Sequence, residues 1–122
     1  MTHQLLFIDD IEAEAEIACW ELGKAGIACE YRVVDSEAAL RAAVAERTPG
    51  MILCDAVMPS FDNWDALRVC RQIAPGVPFV LYSGTVSVED TRLCAQRGVF
   101  GTAEKDVTSQ LIGVVRRGLG LL

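Results

Sequence analysis

Near the N-terminus the chain reads QLLFIDD (residues 4–10), a short apolar run closed by two adjacent aspartates, Asp9 and Asp10. A second apolar run, MILC (51–54), is closed by Asp55. Apolar runs of this length are typical of buried β-strands. If both strands belong to one parallel sheet, their C-terminal ends share an edge, and the three carboxylates lie close together.

Three neighbouring carboxylates predict a cation site. Like charges at close range repel one another, so three bare aspartates are unfavourable together. A hard cation such as Mg²⁺ relieves the repulsion, because it takes carboxylate oxygens as ligands and keeps several of its waters. The alternative is that Asp9 and Asp10 only cap the following helix, and that Asp55 only caps a loop.

Composition narrows the class of protein. The chain has 122 residues, which predicts one domain over 1–122, and its 52% hydrophobic content suits a sheet covered on both faces. The net charge of −6 argues against direct binding of nucleic acid, which needs clustered Lys and Arg. No apolar run reaches the ~20 residues of a membrane span, and no signal peptide is visible. A cytoplasmic protein without a membrane partner is expected.

The cysteines form no recognisable motif. They are odd in number, widely spaced and without a Cys-x-x-Cys pair: Cys19, Cys29, Cys54, Cys70 and Cys94. This spacing argues against a metal or redox site. We expect small buried apolar side chains in a reducing compartment.

Helical and strand patterns alternate along the whole chain. Apolar residues at steps of three and four predict the first helix, and serines at 36 and 87 can cap later ones. The predicted strands are 4–8, 29–34, 51–54, 77–82 and 101–103, and the predicted helices are 11–25, 37–46, 64–73, 87–97 and 108–119. Five βα units with short loops predict a doubly wound parallel sheet with helices on both faces. Ligands of such sheets bind at the carboxyl ends of the strands.

Two more polar residues follow strands and are expected in the same crevice. Ser83 comes after the fourth strand, and Lys105 comes after the fifth. A hydroxyl and an ammonium beside three acids can hold a metal and an oxyanion together, as phosphoryl transfer requires. An aspartate can itself act as the nucleophile and become an acyl phosphate. The alternatives are a turn serine before Gly84 and a solvated surface lysine.

Four motifs together resemble those of response-regulator receiver domains of two-component signalling. They are FIDD (7–10), LCDAVMP (53–59), LYSG (81–84) and the lysine of AEKD (103–106), and the resemblance covers essentially the whole chain. It implies a flavodoxin-like α/β fold, whose five-stranded parallel sheet has the order 2-1-3-4-5. It also implies that Asp55 is the phosphoacceptor, and that Ser83 and Lys105 bind the phosphoryl oxygens.

The resemblance further implies a magnesium site. Its ligands are Asp10, Asp55 and the backbone carbonyl of Val57, and Asp9 acts through a metal-bound water. The implied phosphodonor is a histidine kinase or a phosphotransfer protein, and the phosphorylation state would control interaction with a partner. Such a domain catalyses its own phosphorylation and dephosphorylation without being a turnover enzyme.

Several alternatives stay open. The first is a receiver-like protein-binding module that signals without phosphorylation. The chain is either a stand-alone receiver or a piece of a hybrid kinase or larger regulator with an output domain. Homodimerisation also stays open.

Two positions depart from the family pattern. The residue three before Lys105 is usually an aromatic switch, but here it is Thr102, and Phe100 does not match that position. Coupling of phosphorylation to the face of helix four, strand five and helix five is therefore expected to be weaker or different. Asp106 replaces the usual proline after the lysine. The loop is expected to differ, because a cis bond before a non-proline residue costs ~3 kcal/mol.

The first helix carries apolar residues off its buried stripe. Ile17 and Trp20 are predicted to be exposed, and an exposed tryptophan is a candidate interaction anchor. In the receiver family this helix often docks the helical hairpin of the phosphodonor kinase. The alternative is a partly covered surface aromatic without a partner.

Overall fold

The five predicted strands form one parallel sheet with helices on both faces. The computed structural model describes residues 1–121, so Leu122 lies outside the described residues. The strand order is β2-β1-β3-β4-β5, and every neighbouring pair is parallel, which confirms the predicted doubly wound sheet. In chain order the elements are β1 (His3–Ile8), α1 (Glu12–Lys24), β2 (Cys29–Val34), α2 (Glu37–Glu46), β3 (Met51–Cys54), α3 (Asn63–Ile73), β4 (Phe79–Ser83), α4 (Val88–Gln96), β5 (Gly101–Glu104) and α5 (Thr108–Gly118).

Strand β1 shows how the core is divided into two layers. Successive side chains of a strand point to opposite faces. Leu5 and Phe7 therefore pack with the buried residues of α1 and α5. Leu6 and Ile8 pack with those of α2 and α3 on the other face. Because both faces of β1 are covered, its sequence is a continuous apolar run, not an alternating one.

The fourth strand differs from its predicted bounds at both ends. It begins at Phe79, not at position 77, and it ends at Ser83. Pro78 has no N–H with which to continue the ladder, so regular pairing starts one residue later. Ser83 pairs with Glu104 of β5 and is the last residue of the strand. Its side chain is thereby held by the sheet and not by a turn.

The outer surface of α1 is as apolar as predicted. Ile17 is 55% exposed and Trp20 is 61% exposed. The ammonium of Lys24 lies 3.8 Å from the centre of the Trp20 ring, a cation–π contact. Trp20 is therefore partly shielded by its own helix while it remains open to a partner.

Replacing Ser36 by alanine should lower the free energy of unfolding by about 1 kcal/mol. The Ser36 hydroxyl accepts a hydrogen bond of 3.1 Å from the backbone N–H of Ala39 and so caps α2. Equilibrium urea unfolding measures the loss, with the slope of the transition unchanged. Ser109→Ala is the control, because Ser109 is an exposed helical serine of α5 that does not cap it. An equal loss in both variants would contradict the capping role.

Candidate functional site

The strand register brings the predicted polar residues to one edge of the sheet. Ile8 of β1 pairs with Cys54 of β3, so the residues that follow them, Asp9 and Asp55, are neighbours. The backbone N–H of Asp55 donates to the carbonyl of Ile8 at 2.9 Å. On the other side, the N–H of Lys105 donates to the carbonyl of Ser83, also at 2.9 Å. The C-terminal ends of four strands thus meet at one crevice.

The three aspartates form a compact acidic cluster. Asp9 is 2% exposed and Asp55 is 8% exposed, whereas Asp10 is open to solvent. One carboxylate oxygen from each residue lies within 4.8 Å of the other two. Oxygens bound to one Mg²⁺ at about 2.1 Å are at most about 4.2 Å apart, so a small shift or a bridging water suffices. The donor set and its spacing fit a hard divalent cation.

Lys105 joins the two buried carboxylates. Its Nζ lies 2.7 Å from Oδ2 of Asp9 and 3.2 Å from Oδ2 of Asp55, and its side chain is 9% exposed. Burial by itself would lower the pKa of the Lys105 ammonium. The hydrogen bonds and charges of Asp9 and Asp55 outweigh burial, so this pKa lies above its usual value. A charged ammonium therefore lies beside Asp55, with its Nζ 3.2 Å from Oδ2 of that carboxylate.

Asp55 is fixed by three donors. Its Oδ1 accepts hydrogen bonds from the Ser83 hydroxyl at 3.1 Å and from the backbone N–H of Val57 at 3.0 Å. Its Oδ2 accepts from Lys105. Charge-assisted hydrogen bonds of this kind hold a carboxylate in one orientation. Asp55 therefore presents to the crevice a carboxylate that is held in one orientation.

The capping alternative for the first two aspartates is not what the structure shows. Residue Ile11 occupies the N-cap position of α1, and no side chain caps the helix. Oδ1 of Asp9 accepts from the N–H of Ile11 at 3.0 Å, and Oδ2 bonds Lys105. Asp9 thus faces the crevice. The structure brings together all five polar residues that the sequence predicted: Asp9, Asp10, Asp55, Ser83 and Lys105.

One residue beside the site belongs to the quoted LYSG motif but was given no role by the sequence analysis. Tyr82 lies in the core, with its ring 5.9 Å from Nζ of Lys105. Burial, aided by the charges of Glu14 and Asp9, raises the pKa of Tyr82 to about 12, so its hydroxyl remains protonated. Its ring also makes an edge contact with Phe7 at 6.2 Å. The sequence signal was its place in the LYSG motif, immediately before Ser83.

The structure shows what surrounds the two positions that depart from the family pattern. Thr102 lies half-buried in β5, opposite Leu81. Phe100 precedes the strand, is 45% exposed and lies beside Gly118 at the end of α5. Lys105 follows the other end of β5, so the Phe100 ring lies away from the acidic crevice. Over residues 1–121 all peptide bonds are trans, including the bond between Lys105 and Asp106.

The fold and the acidic crevice define the chain as a receiver domain. Residues 5–115 match the family model of the response regulator receiver domain. The chain belongs to this family, and its sheet is the flavodoxin-like sheet that the resemblance implied. No curated protein sequence matches the chain.

Solved structures with the same fold are similar at low sequence identity. A response-regulator candidate from Chloroflexus aurantiacus J-10-fl is 21% identical with a TM-score of 0.82, and the match covers 98% of this chain and 99% of that one. A receiver domain protein from Clostridium thermocellum is 20% identical with a TM-score of 0.78, over 97% and 94% of the two chains. NtrX from Brucella abortus is 24% identical with a TM-score of 0.83, over 98% of this chain but 27% of its own. These likenesses establish the fold.

The helices of residues 1–121 include none that is both long enough and apolar enough to cross a membrane.

Proposed function

We propose that residues 1–122 form one phosphoacceptor receiver domain of a histidine-to-aspartate phosphorelay, in which Asp55 accepts the phosphoryl group. One observation carries this proposal. The Asp55 carboxylate is held by Ser83, Lys105 and the N–H of Val57 beside two further aspartates. An immobilised carboxylate nucleophile with an ammonium, a hydroxyl and a cation site around it is what in-line phosphoryl transfer to aspartate needs.

Each neighbour of Asp55 has a proposed role in the transfer. As a phosphoramidate P–N bond of the donor histidine breaks and an Asp55 O–P bond forms, negative charge spreads over the equatorial oxygens. Lys105 would release Asp55 and neutralise one of these oxygens, and the Ser83 hydroxyl would donate to another. Both groups already lie within 3.2 Å of the acceptor carboxylate.

The cation site completes the proposed chemistry. The proposed ligands of Mg²⁺ are Asp10, Asp55 and the backbone carbonyl of Val57, with Asp9 acting through a bound water. A divalent ion there supplies charge neutralisation and a template for the incoming phosphoryl oxygens. Asp9 is the least exposed of the three acids, at 2%, and its Oδ2 lies 2.7 Å from Nζ of Lys105, which favours a water-mediated role for it.

Receiver domains interact with histidine kinases and output domains. For this chain we propose a histidine kinase or phosphotransfer protein as the phosphodonor and a cytoplasmic location. The domain would catalyse reactions of its own Asp55 and would not turn over an external substrate. The exposed Ile17 and Trp20 of α1 are the proposed anchors for the donor, since α1 begins immediately beside the acidic crevice.

Intact mass spectrometry tests the proposal. After incubation with acetyl phosphate and Mg²⁺, the parent protein should gain the mass of one phosphoryl group. Asp55→Asn should abolish the gain, whereas Asp65→Asn, an exposed aspartate of α3, should leave it unchanged. No gain in the parent with either acetyl phosphate or a histidine phosphodonor would favour a module that signals without phosphorylation. An unchanged gain in Asp55→Asn would assign the acceptor to another residue.

With Thr102 in β5, we expect phosphorylation of Asp55 to cause only a small conformational change at the α4–β5–α5 face. In the receiver family an aromatic ring at this position is the switch that links the phosphorylated site to this face, and threonine has no ring. Hydrogen exchange with and without beryllofluoride and Mg²⁺ measures the response, and Thr102→Tyr should enlarge it. A large protection change confined to this face in the parent would count against the prediction.

A further inference from the structure

A short loop over residues 105–107 joins β5 to α5 and carries Lys105. Two backbone hydrogen bonds anchor this loop to the sheet. The N–H of Lys105 donates to the carbonyl of Ser83 at the end of β4, at 2.9 Å. The N–H of Val107 donates to the carbonyl of Glu104, the last residue of β5, at 3.1 Å. The peptide group that joins Glu104 to Lys105 is therefore held at both its carbonyl and its N–H.

A third hydrogen bond, from a side chain, closes the loop. β5 lies at the edge of the sheet, and edge strands leave N–H groups on their outer side without a strand partner. The N–H of Glu104 donates instead to Oε1 of Gln110, in the first turn of α5, at 2.9 Å. The amide of Gln110 thus links the last residue of the strand to the helix, across the loop that carries Lys105.

Helix capping alone does not explain the bond made by Gln110. Val107 is the N-cap residue of α5, so Gln110 is at position N3 of this helix. In a capping box a glutamine at N3 reaches back to the N–H of the N-cap residue. Here that N–H is bonded to the carbonyl of Glu104, and Gln110 reaches three residues further back, to the strand. The bond therefore fixes the loop against β5 as well as the start of the helix.

Lys105 depends on the placement of this loop. Its Nζ lies 2.7 Å from Oδ2 of Asp9 and 3.2 Å from Oδ2 of Asp55, and its side chain is 9% exposed. The two aspartates follow β1 and β3, whereas the lysine follows β5, so its side chain reaches across the end of β4. A lysine ammonium is carried on a flexible four-carbon stem, and its position follows that of its backbone. A shift of the loop would move the ammonium relative to both carboxylates.

We propose that Gln110 is a positioning residue for Lys105. Its amide oxygen fixes Glu104 and thereby the loop, and the loop places the ammonium between Asp9 and Asp55. Gln110 acts through the backbone of the loop and not by contact with the phosphoryl group. Its effect on phosphorylation rests on the function proposed above for Asp55. The placement of the Lys105 ammonium, in contrast, can be measured without phosphorylation.

Three variants of the full chain test the proposal. Gln110→Met keeps the length of the side chain but removes the oxygen acceptor, whereas Gln110→Glu keeps an acceptor oxygen at the same place. Gln96→Met is the matched control, because Gln96 is also an exposed glutamine of a helix, at the end of α4. Both glutamines are exposed, so all three variants should remain folded, with melting temperatures close to that of the parent.

Nuclear magnetic resonance of the unphosphorylated proteins measures the two contacts that the proposal links. In Gln110→Met the amide hydrogen of Glu104 should exchange with solvent about fivefold faster than in the parent, the factor expected for one hydrogen bond. The ¹⁵N-correlated signal of the Lys105 ammonium should shift or weaken in the same variant. Gln110→Glu and Gln96→Met should resemble the parent in both measurements. An unchanged ammonium signal in Gln110→Met would overturn the proposal, whether or not Asp55 accepts a phosphoryl group.

The rate of phosphorylation by acetyl phosphate measures the consequence at Asp55. With Mg²⁺ at a saturating concentration, Gln110→Met should be phosphorylated about fivefold more slowly than the parent. Gln110→Glu should restore the parent rate, because it again offers an acceptor to the N–H of Glu104. A parent-like rate in Gln110→Met, or a rate in Gln110→Glu as low as that of Gln110→Met, would overturn the positioning role.

Discussion

Replacing Asp10 by alanine should abolish Mg²⁺-dependent phosphorylation while the fold is retained. Among residues 1–121, Asp10 is the acid of the cluster that Lys105 does not bond, and it is exposed. It is therefore the carboxylate most available to a cation. Its loss should weaken Mg²⁺ binding by about 100-fold or more, since even residues behind metal ligands contribute about 10- to 100-fold. An exposed substitution of this kind changes stability by about 0.5 kcal/mol or less.

Isothermal titration calorimetry with MgCl₂ measures the affinity, and intact mass after incubation with acetyl phosphate measures the phosphorylation. Asp106→Ala is the matched control, because Asp106 is also an exposed acid at this edge and its removal changes the net charge equally. If Asp10→Ala binds Mg²⁺ as tightly as the parent, Asp10 is not a metal ligand. A comparable loss in Asp106→Ala would assign the effect to overall charge.

The elements of the fold could be predicted from sequence because the strands of a doubly wound sheet are short apolar runs bounded by breakers. Met51–Cys54 is buried at every position and coincides with its predicted strand. The predicted ends of a strand were wrong where a single residue limits the pairing. Pro78, which has no N–H, makes β4 begin at Phe79. The order of the strands is a property of long-range pairing, which no local pattern contains, so the prediction of the order 2-1-3-4-5 depended on the resemblance.

The sequence predicted which residues form the site, but it could not predict the hydrogen bonds and ion pairs between them. Strand ends identified Asp9, Asp55 and Lys105, because parallel strands must end at a common edge. Which acid bonds the lysine depends on side-chain directions, and the structure selects Asp9 and Asp55.

The phosphoryl group on Asp55 should be long-lived, and two polar substitutions should shorten its life by about 10- to 100-fold. Hydrolysis of an aspartyl phosphate needs a water held in line behind the phosphorus. We expect the side chains two positions after Asp55 and after Ser83 to border the path of this water. Val57 is apolar and 74% exposed, and Thr85 is exposed in the loop that follows β4. Neither carries a carboxylate or an amide that could orient the water.

The double variant Val57→Asn with Thr85→Glu supplies both kinds of group and should accelerate hydrolysis. Its phosphorylated form is freed of donor, and the decay of the phosphorylated mass is followed over time in Mg²⁺. Val57→Leu with Thr85→Val is the matched control, since it changes the same exposed positions without a group that orients water, and its lifetime should equal that of the parent. The stability of the fold should differ little among the three proteins, because both side chains lie at the surface.

Loss of phosphate from the parent within seconds would show that water already reaches the phosphorus without these groups. An unchanged lifetime in the double polar variant would show that positions 57 and 85 do not border its path.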